Sequence, residues 1–513
     1  MTLPLRSLLI LAALAGTIHS QALRTYRLTA NATPSDRPAA NSINEIVVAG
    51  DTVWVGTSRG LSIGRGSPVQ WENWSSVTPY NASGVSGIAI SGDLVWVATA
   101  TSTKQDNESL PTGDGLYRSL DRGATWTRFP QPVEPGTVDT LVYGINRIAA
   151  LNIGTAINNI TYDVAIGAGA VWTANFAGML RRRADQDTTW QRVVLPPDGR
   201  SSITPAETLD FDLAPTGGRL GLRGNLNHRV FSVTVDSDTM VWVGTAGGIN
   251  RSTDGGASWM RFSHENQANG ISGNFVVAIR EQRWAGQKTV WAATVNAESG
   301  DERRGVSWST DNGASWRTAL LGEFAHNFAF RDSIVYVATD AGLYRSSDGG
   351  TSWLLSGSVV DPLSYQRFVA PEVIAAAERR DTVWIGGPDG LALTEDAPGG
   401  AFGSRWQIIR SALSVAPAVE MYVYPNPFSP AVEAARVHYA VPASGGAITI
   451  RIFDIALQPV RDLLVQASRP SGQHDEVWDG RTDEGRPAAN GVYFIRIEVG
   501  KAEPVWGKVL VLQ

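Results

Sequence analysis

One apolar phrase recurs along this chain, V-W-V-G/A-T, a run of hydrophobic and small residues that ends near a glycine. It stands at 53–57, 95–99, 171–175, 241–245, 290–294, 335–339 and 383–387. Its aromatic falls at 54, 96, 172, 242, 291, 336 and 384, and four of the six intervals lie between 42 and 49 residues. In the second copy, residues 85–91 alternate as an inner strand, Gly92-Asp93 turns, and 94–99, 115–119 and 125–129 predict three further strands. The fourth copy is the most compact, with strands at 230–235, 240–245, 248–252 and 258–262. A repeat of roughly 40 to 50 residues that holds four short strands marks a propeller blade. The pattern therefore predicts an all-β chain with a seven-bladed β-propeller over 42–412. The ring is expected to close where the region near Ile43 meets a strand at 405–410. Residues 140–154 leave an eight-bladed ring open, because they offer additional strands.

A second phrase, S-x-D-x-G-x-x-W, joins the third and fourth strands. It is formed by Ser119, Asp121, Gly123 and Trp126; by Ser252, Asp254, Gly256 and Trp259; by Ser309, Asp311, Gly313 and Trp316; and by Ser346, Asp348, Gly350 and Trp353. Blade three keeps a worn version with Asp185 and Trp190, and blade seven keeps Thr394, Asp396 and a displaced Trp406. The phrase suits a turn. Ser and Asp side chains satisfy backbone N–H groups, Gly supplies a positive φ, and Trp packs between blades. Asp254→Ala is accordingly expected to cost on the order of 1 to 3 kcal/mol, the loss of a buried turn hydrogen bond, without touching binding. The phrase resembles the Asp-box of sialidases and of sialidase-like, sortilin-like and xyloglucanase propellers, and V-W-V-G-T-x-x-G-L resembles the sensor propellers of two-component regulators. These resemblances imply the fold and leave activity open.

Strand counting places the boxes on one face. The connections between strands two and three, and between blades, lie on the other. Large insertions at 101–114 and 296–305 join strands two and three, those at 131–159 and 195–227 link blades, and only 281–288 is a longer turn on the box face. Long loops on a rigid scaffold carry binding, so the face opposite the boxes is the candidate ligand face. Its candidate residues are Trp74, Tyr80, Asp106, Glu108, Glu298, Asp301, Arg303 and Arg304. Trp71, Trp74 and Tyr80 suit an aromatic platform for sugar rings. The competing assignment makes Trp71 or Trp74 the inter-blade Trp of a degenerate first box.

Beyond Ala418 the repeat stops. Tyr424-Pro425-Asn426-Pro427-Phe428, Trp478-Asp479-Gly480-Arg481 and Asn490-Gly491-Val492-Tyr493-Phe494 punctuate about seven predicted strands of a small sandwich over 421–513, after a linker at 413–420. This stretch resembles the immunoglobulin-like domain of flagellar hook-capping proteins and the C-terminal sorting domain of type IX secretion substrates. That resemblance implies recognition by outer-membrane secretion machinery. Residues 1–22 read as a secretory signal peptide, with Arg6, an apolar run and Ser20-Gln21-Ala22, and 23–41 as a polar N-terminal segment. The expected location is the medium or the surface of a Gram-negative bacterium, reached through the periplasm.

The 513 residues carry a net charge of −6, which gives no reason to expect nucleic acid as a partner, and no segment beyond the leader is long enough for a transmembrane span. Cysteine is absent, so disulfides and thiol chemistry are excluded. His228, His264, His326, His438 and His474 show no ligand spacing, and no H-E-x-x-H, G-x-S-x-G, P-loop or EF-hand motif occurs. Neither metal nor cofactor is expected. A sialidase would need an arginine cluster and a tyrosine nucleophile, and the F/Y-R-I-P phrase of that family is missing. A glycoside hydrolase or lyase would have to use loop carboxylates such as Asp106, Glu108, Asp114, Glu298, Asp301 and Glu302. The favoured expectation is a non-catalytic propeller that binds an extracellular polysaccharide or protein. The alternatives are that hydrolase or lyase and a periplasmic sensor or assembly scaffold.

Overall fold

The computed structural model describes all residues except 1–23, 28–34, 68, 75–82, 106–107, 178, 185–186, 188, 217–223, 237–238, 365, 398–400, 412–420, 432, 442–445, 501–503 and 513. Among the described residues, every regular element apart from one 3-10 turn at Leu226–His228 is a strand. Seven antiparallel sheets each take four consecutive strands from 43–74, 84–129, 161–192, 230–262, 275–319, 325–355 and 375–409, and the second and fourth gain a fifth strand from Arg24–Arg27 and Ser202–Ile203. Their first strands pack side by side in chain order, and that of blade seven returns to that of blade one. The chain is a closed seven-bladed propeller followed by a β-sandwich. The V-W-V strands are apolar on both faces because each is second in its blade and is covered on both sides by neighbouring blades. Closure needs no exchanged strand. Ser411 N–H donates to Asn41 Oδ1 at 2.7 Å, and the Cβ of Ile43 lies against the backbone of Gly386.

In blades one to six the first strand carries a register shift near its start, so that one extra residue stands before Glu45, Gly87, Asp163, Ser232, Ala278 and Asn327. A bulge of this kind re-aims side chains, and the six residues that follow it are equivalent around the axis. A polar lattice crosses the channel at this level. Arg280 of blade five lies 2.8 Å from Asp163 of blade three and 3.9 Å from Glu45 of blade one. Ser232 donates to Asp163 at 2.8 Å, and Asn327 reaches Glu45 at 3.5 Å. The guanidinium thus bridges blades across the ring.

Three expectations need correction. The 101–114 insertion is not a loop, because strands two and three of blade two simply lengthen into a ribbon, Leu94–Gln105 paired with Glu108–Ser119. The turn at 281–288 is likewise a strand extension. The long links at 131–159 and 195–227 do not crown the ligand face. The first forms a hairpin, Val138–Tyr143 with Asn146–Leu151, which pairs with neither adjoining blade. It is buttressed by the second link, with Ile145 N–H on Pro205 O and Ala150 bridged to Leu213, and Tyr143 reaches the box turn of blade four at Ala257. Apolar side chains of both links bury one another over the outer side of blades three and four. Residues 140–154 therefore supply two strands and no eighth blade.

At the N-terminal side, Arg24–Arg27 adds a fifth strand to blade two, and Ser35 bridges Trp71 on the outer strand of blade one. The sandwich pairs Met421–Tyr424, Ala435–Val441 and Gly472–Trp478 in one sheet. It sets Pro459–Arg469, Gly446–Phe453, Gly491–Val499 and Val505–Val511 in the other. Trp478, Ile450, Ile495 and Val509 are buried between the two sheets.

Candidate functional site

The box turns fix one face. In each, the Ser hydroxyl donates to the Asp carboxylate at 2.7–2.8 Å and accepts the Gly N–H at 2.7–2.8 Å. The carboxylate accepts the N–H of the residue before Trp, and the hydroxyl of that residue (Thr125, Ser258, Ser315 or Ser352) donates to its second oxygen. Hydroxyl and amide donors hold Asp311 and Asp348 down at about 2, outweighing what little burial each has. Burial acts upward on Asp121 and Asp254, but the same donors leave both below their ordinary range. Every oxygen of these carboxylates is committed within its own turn. The fixed hydroxyl before Trp had a signal in the sequence, Thr or Ser in all four copies.

The box Gly brings its turn onto the preceding blade. Gly123, Gly256 and Gly350 have φ of +88°, +90° and +92°, and an added Cβ would lie 2.9, 2.6 and 2.8 Å from the ring carbons of Trp54, Trp172 and Trp291. Gly313 sits likewise against Phe262. The box Trp packs on the same blade: Trp126 beside Trp54, Trp259 beside Trp172, Trp316 on Trp242 at 6.3 Å and Trp353 on Trp291 at 6.2 Å. Trp190 on Trp96 and Trp406 near Tyr336 extend the series to the worn boxes. Asp396 departs from it, because its carboxylate accepts Tyr336 and pairs with Arg345 at 2.6 Å on blade six. Asp185 lies outside the described residues.

Trp71 meets Trp384 at 6.2 Å, which makes it the box-position Trp of blade one. Trp74 is 1% exposed and packs edge-on to Trp126 at 6.0 Å, at the position that Phe129 and Phe262 occupy in blades two and four. The platform reading of Trp74 is therefore corrected: its ring faces the inter-blade core and has no surface to offer a sugar. Tyr80 and Asp106 lie outside the described residues. Glu108 is exposed at the tip of the blade-two ribbon. Asp114 is held by Arg128 at 3.1 Å and by Ser83 at 2.7 Å.

The blade-five insertion forms one wall of a recess of about 340 Å³, lined by Asp198, Arg261, Glu265, Asn274, Glu298 and Glu302. Glu302 is buried and organises the loop by accepting the N–H groups of Asn274 (2.8 Å), Ala297 (2.7 Å) and Ser299 (3.1 Å). Asp198 accepts Leu226 and Asn227 N–H. Burial acts upward on Glu265, yet the Asn274 amide holds it below its ordinary range. Glu298, Asp301, Arg303 and Arg304 are exposed, and Arg304 donates to Gly322 O at 2.6 Å. Glu298 faces the recess, whereas Asp301, Arg303 and Arg304 are not brought to it.

An arc of aromatics escaped the sequence reading. Each first strand begins at the face opposite the boxes, so the bulge residues ring the channel mouth there. In blades three and four these are Tyr162 and Phe231. Their rings lie 5.3 Å apart, Phe231 continues to Phe275 at 4.5 Å and to Phe176 at 5.8 Å, and Arg229 covers Phe176. Tyr162 is 39% exposed. Directly below, the Arg280 lattice spans the channel, so the mouth forms a cup with a polar floor and one aromatic wall.

His228 is buried away from the mouth. Its Nδ1 accepts Ala214 N–H, its Nε2–H donates to Leu195 O, and burial pushes it down to about 4. Among the described residues no helix is long and apolar enough to cross a membrane.

The fold and face define a propeller with a β-sandwich attached. No family model and no curated protein matches the chain. Solved structures similar to it include YCF48 from Cyanidioschyzon merolae, at 17% identity over 74% of this chain and 99% of that one, TM-score 0.41. The GH74 enzyme of Niastella koreensis is similar at 12% identity over 94% and 75%, TM-score 0.48. PorZ, described as a surface component of the type-IX secretion system of Porphyromonas gingivalis, is similar at 11% over 92% and 87%, TM-score 0.27.

Proposed function

We propose that the chain is a non-catalytic binding propeller that takes an extracellular polysaccharide or a protein segment into the cup at the channel mouth, on the face opposite its box turns. The observation that carries this reading is the aromatic arc at the mouth, Tyr162, Phe231, Phe275 and Phe176, set over the Arg280 lattice. Partly exposed aromatics above a polar floor suit a ligand with apolar faces and hydroxyl or amide edges, as sugars and peptides have. A glycosidase pair, by contrast, requires one carboxyl kept protonated. The carboxylates of the neighbouring recess favour binding, because Asp198, Glu265 and Glu302 are taken up by backbone or amide donors. The C-terminal sandwich is proposed to deliver the propeller across the outer membrane, on the resemblance carried by its W-D-G-R and N-G-V-Y-F phrases.

The test is a glycan array and a panel of labelled polysaccharides and peptides probed with the full chain and with Tyr162→Ala. The ligand retained by the native protein should bind the variant roughly fivefold more weakly, about 1 kcal/mol, with unchanged melting. Equal binding by the two proteins would remove the cup from consideration. Turnover of any bound polymer that is abolished by Glu298→Gln would favour the hydrolase.

A further inference from the structure

On the side of the channel mouth away from the aromatic arc, three donors from separate segments converge. His326 is the bulge residue of blade six, Asp340 lies in the turn between its second and third strands, and Glu372 lies in the link to blade seven. The ring nitrogen and the two carboxylates all lie within 4.8 Å of one another, with His326 Nε2 2.7 Å from Asp340 Oδ1. The backbone fixes all three positions, because Asp340 N–H donates to Phe324 O at 3.1 Å and Val373 N–H to Thr339 O at 2.9 Å. The Phe324 ring packs against the imidazole, 4.9 Å away and tilted by 35°. Among the described residues no arginine or lysine forms an ion pair with Asp340 or Glu372. Two ionised carboxylates within 4.8 Å of each other repel, and a divalent ion removes that repulsion.

We propose that His326, Asp340 and Glu372 bind a first-row divalent cation of the Zn2+ class at the mouth of the cup. One imidazole and two carboxylates are the donor set such ions accept at about 2.0–2.2 Å, whereas Ca2+ is served by oxygen ligands alone. Rotation of side chains that are partly exposed brings donors 4.8 Å apart to that span. Three protein ligands leave coordination positions open. The ion would meet hydroxyl or carboxylate oxygens of a ligand whose apolar face lies on Tyr162 and Phe231. The site does not depend on what that ligand is, so its failure and the failure of the binding reading are separable.

The experiment is calorimetric titration of the metal-free full chain with Zn2+ and, separately, Ca2+, repeated on His326→Ala, Asp340→Asn and Glu372→Gln. Melting of each metal-free variant serves as the folding control. The native chain should take one equivalent of Zn2+ with Ca2+ at least tenfold weaker, and each variant should lose tenfold or more in Zn2+ affinity. Co2+ should show the visible absorption of a low-symmetry N/O site that His326→Ala abolishes. No Zn2+ binding, Zn2+ binding unchanged in all three variants, or tighter Ca2+ binding would each overturn the proposal.

Discussion

Two adjacent glycines in one turn meet unequal demands. Gly255 and Gly256 both have positive φ, +69° and +90°, but an added Cβ on Gly255 meets nothing within 4 Å, whereas on Gly256 it lies 2.6 Å from Trp172 Cη2. Gly255→Ala should cost about 1 kcal/mol for the backbone conformation alone, and Gly256→Ala about 2–4 kcal/mol, because a buried Trp must also move. Paired chemical melts of the two variants check this, and equal losses would mean that the Trp is not wedged by the turn. Asp254→Ala belongs at the low end of its expected range, about 1 kcal/mol, because the carboxylate is exposed and the amides it leaves can turn to water. The box was legible because four side chains recur at fixed spacing. The aromatic arc was not, because Tyr162 and Phe231 sit in different blades and only a bulge in each strand turns them to the same mouth.

At the scale of the strand, the same bulges set up a titration. Enclosure in the channel, with Asp163 taking the nearer hold on Arg280, pushes Glu45 up to about 7. The folded chain then keeps a proton that the unfolded chain has lost between the ordinary 4.5 and about 7. This contribution is fully present below pH 4.5 and is lost as pH rises through about 7. Glu45→Gln should therefore be the more stable protein at pH 8 by about 2 kcal/mol, a figure held down by the 14% of the side chain that touches channel water, with little difference at pH 5. His228 works in the other direction. Its pKa is depressed to about 4, so its contribution is present above pH 6.5 and lost as pH falls through about 4. Urea midpoints of the native and Glu45→Gln chains across pH 5 to 8 isolate the first effect, and parallel curves would show that Glu45 is ionised throughout. Strand positions were legible, since the blade-four strands fall where alternation and turn residues put them. The fate of insertions was not. Polar residues at 101–114 suit a loop as well as a two-stranded ribbon, and only backbone pairing along Leu94–Gln105 distinguishes the two.

At the scale of the molecule, the sandwich and the propeller share a small charged seam rather than a core. Arg436 of the sandwich bonds the carboxylate of Asp389, in the turn between strands two and three of blade seven, and Asp389 also accepts Val369 and Ala370 N–H. Arg410 lies beside this pair and is pushed down to about 10, by burial first and by Arg436 next. Removal of 421–513 takes away the Arg436–Asp389 pair and the attraction of Asp475 for Arg410, but also the repulsion of Arg410 by Arg436, and Asp389 keeps its amide partners. The truncated propeller should therefore fold, with melting lowered by no more than a few degrees. That makes the export test readable, because loss of export cannot then be ascribed to misfolding. With the proposed signal peptide intact and the proposed sorting domain removed, a chain that ends before Met421 should accumulate folded in the periplasm, while the full chain reaches the surface or the medium. Cell fractionation of both forms, with protease resistance of the retained propeller as the folding control, decides the matter. Equal amounts of the two forms outside the outer membrane would reduce the sandwich to an accessory module and leave delivery to some other part of the chain.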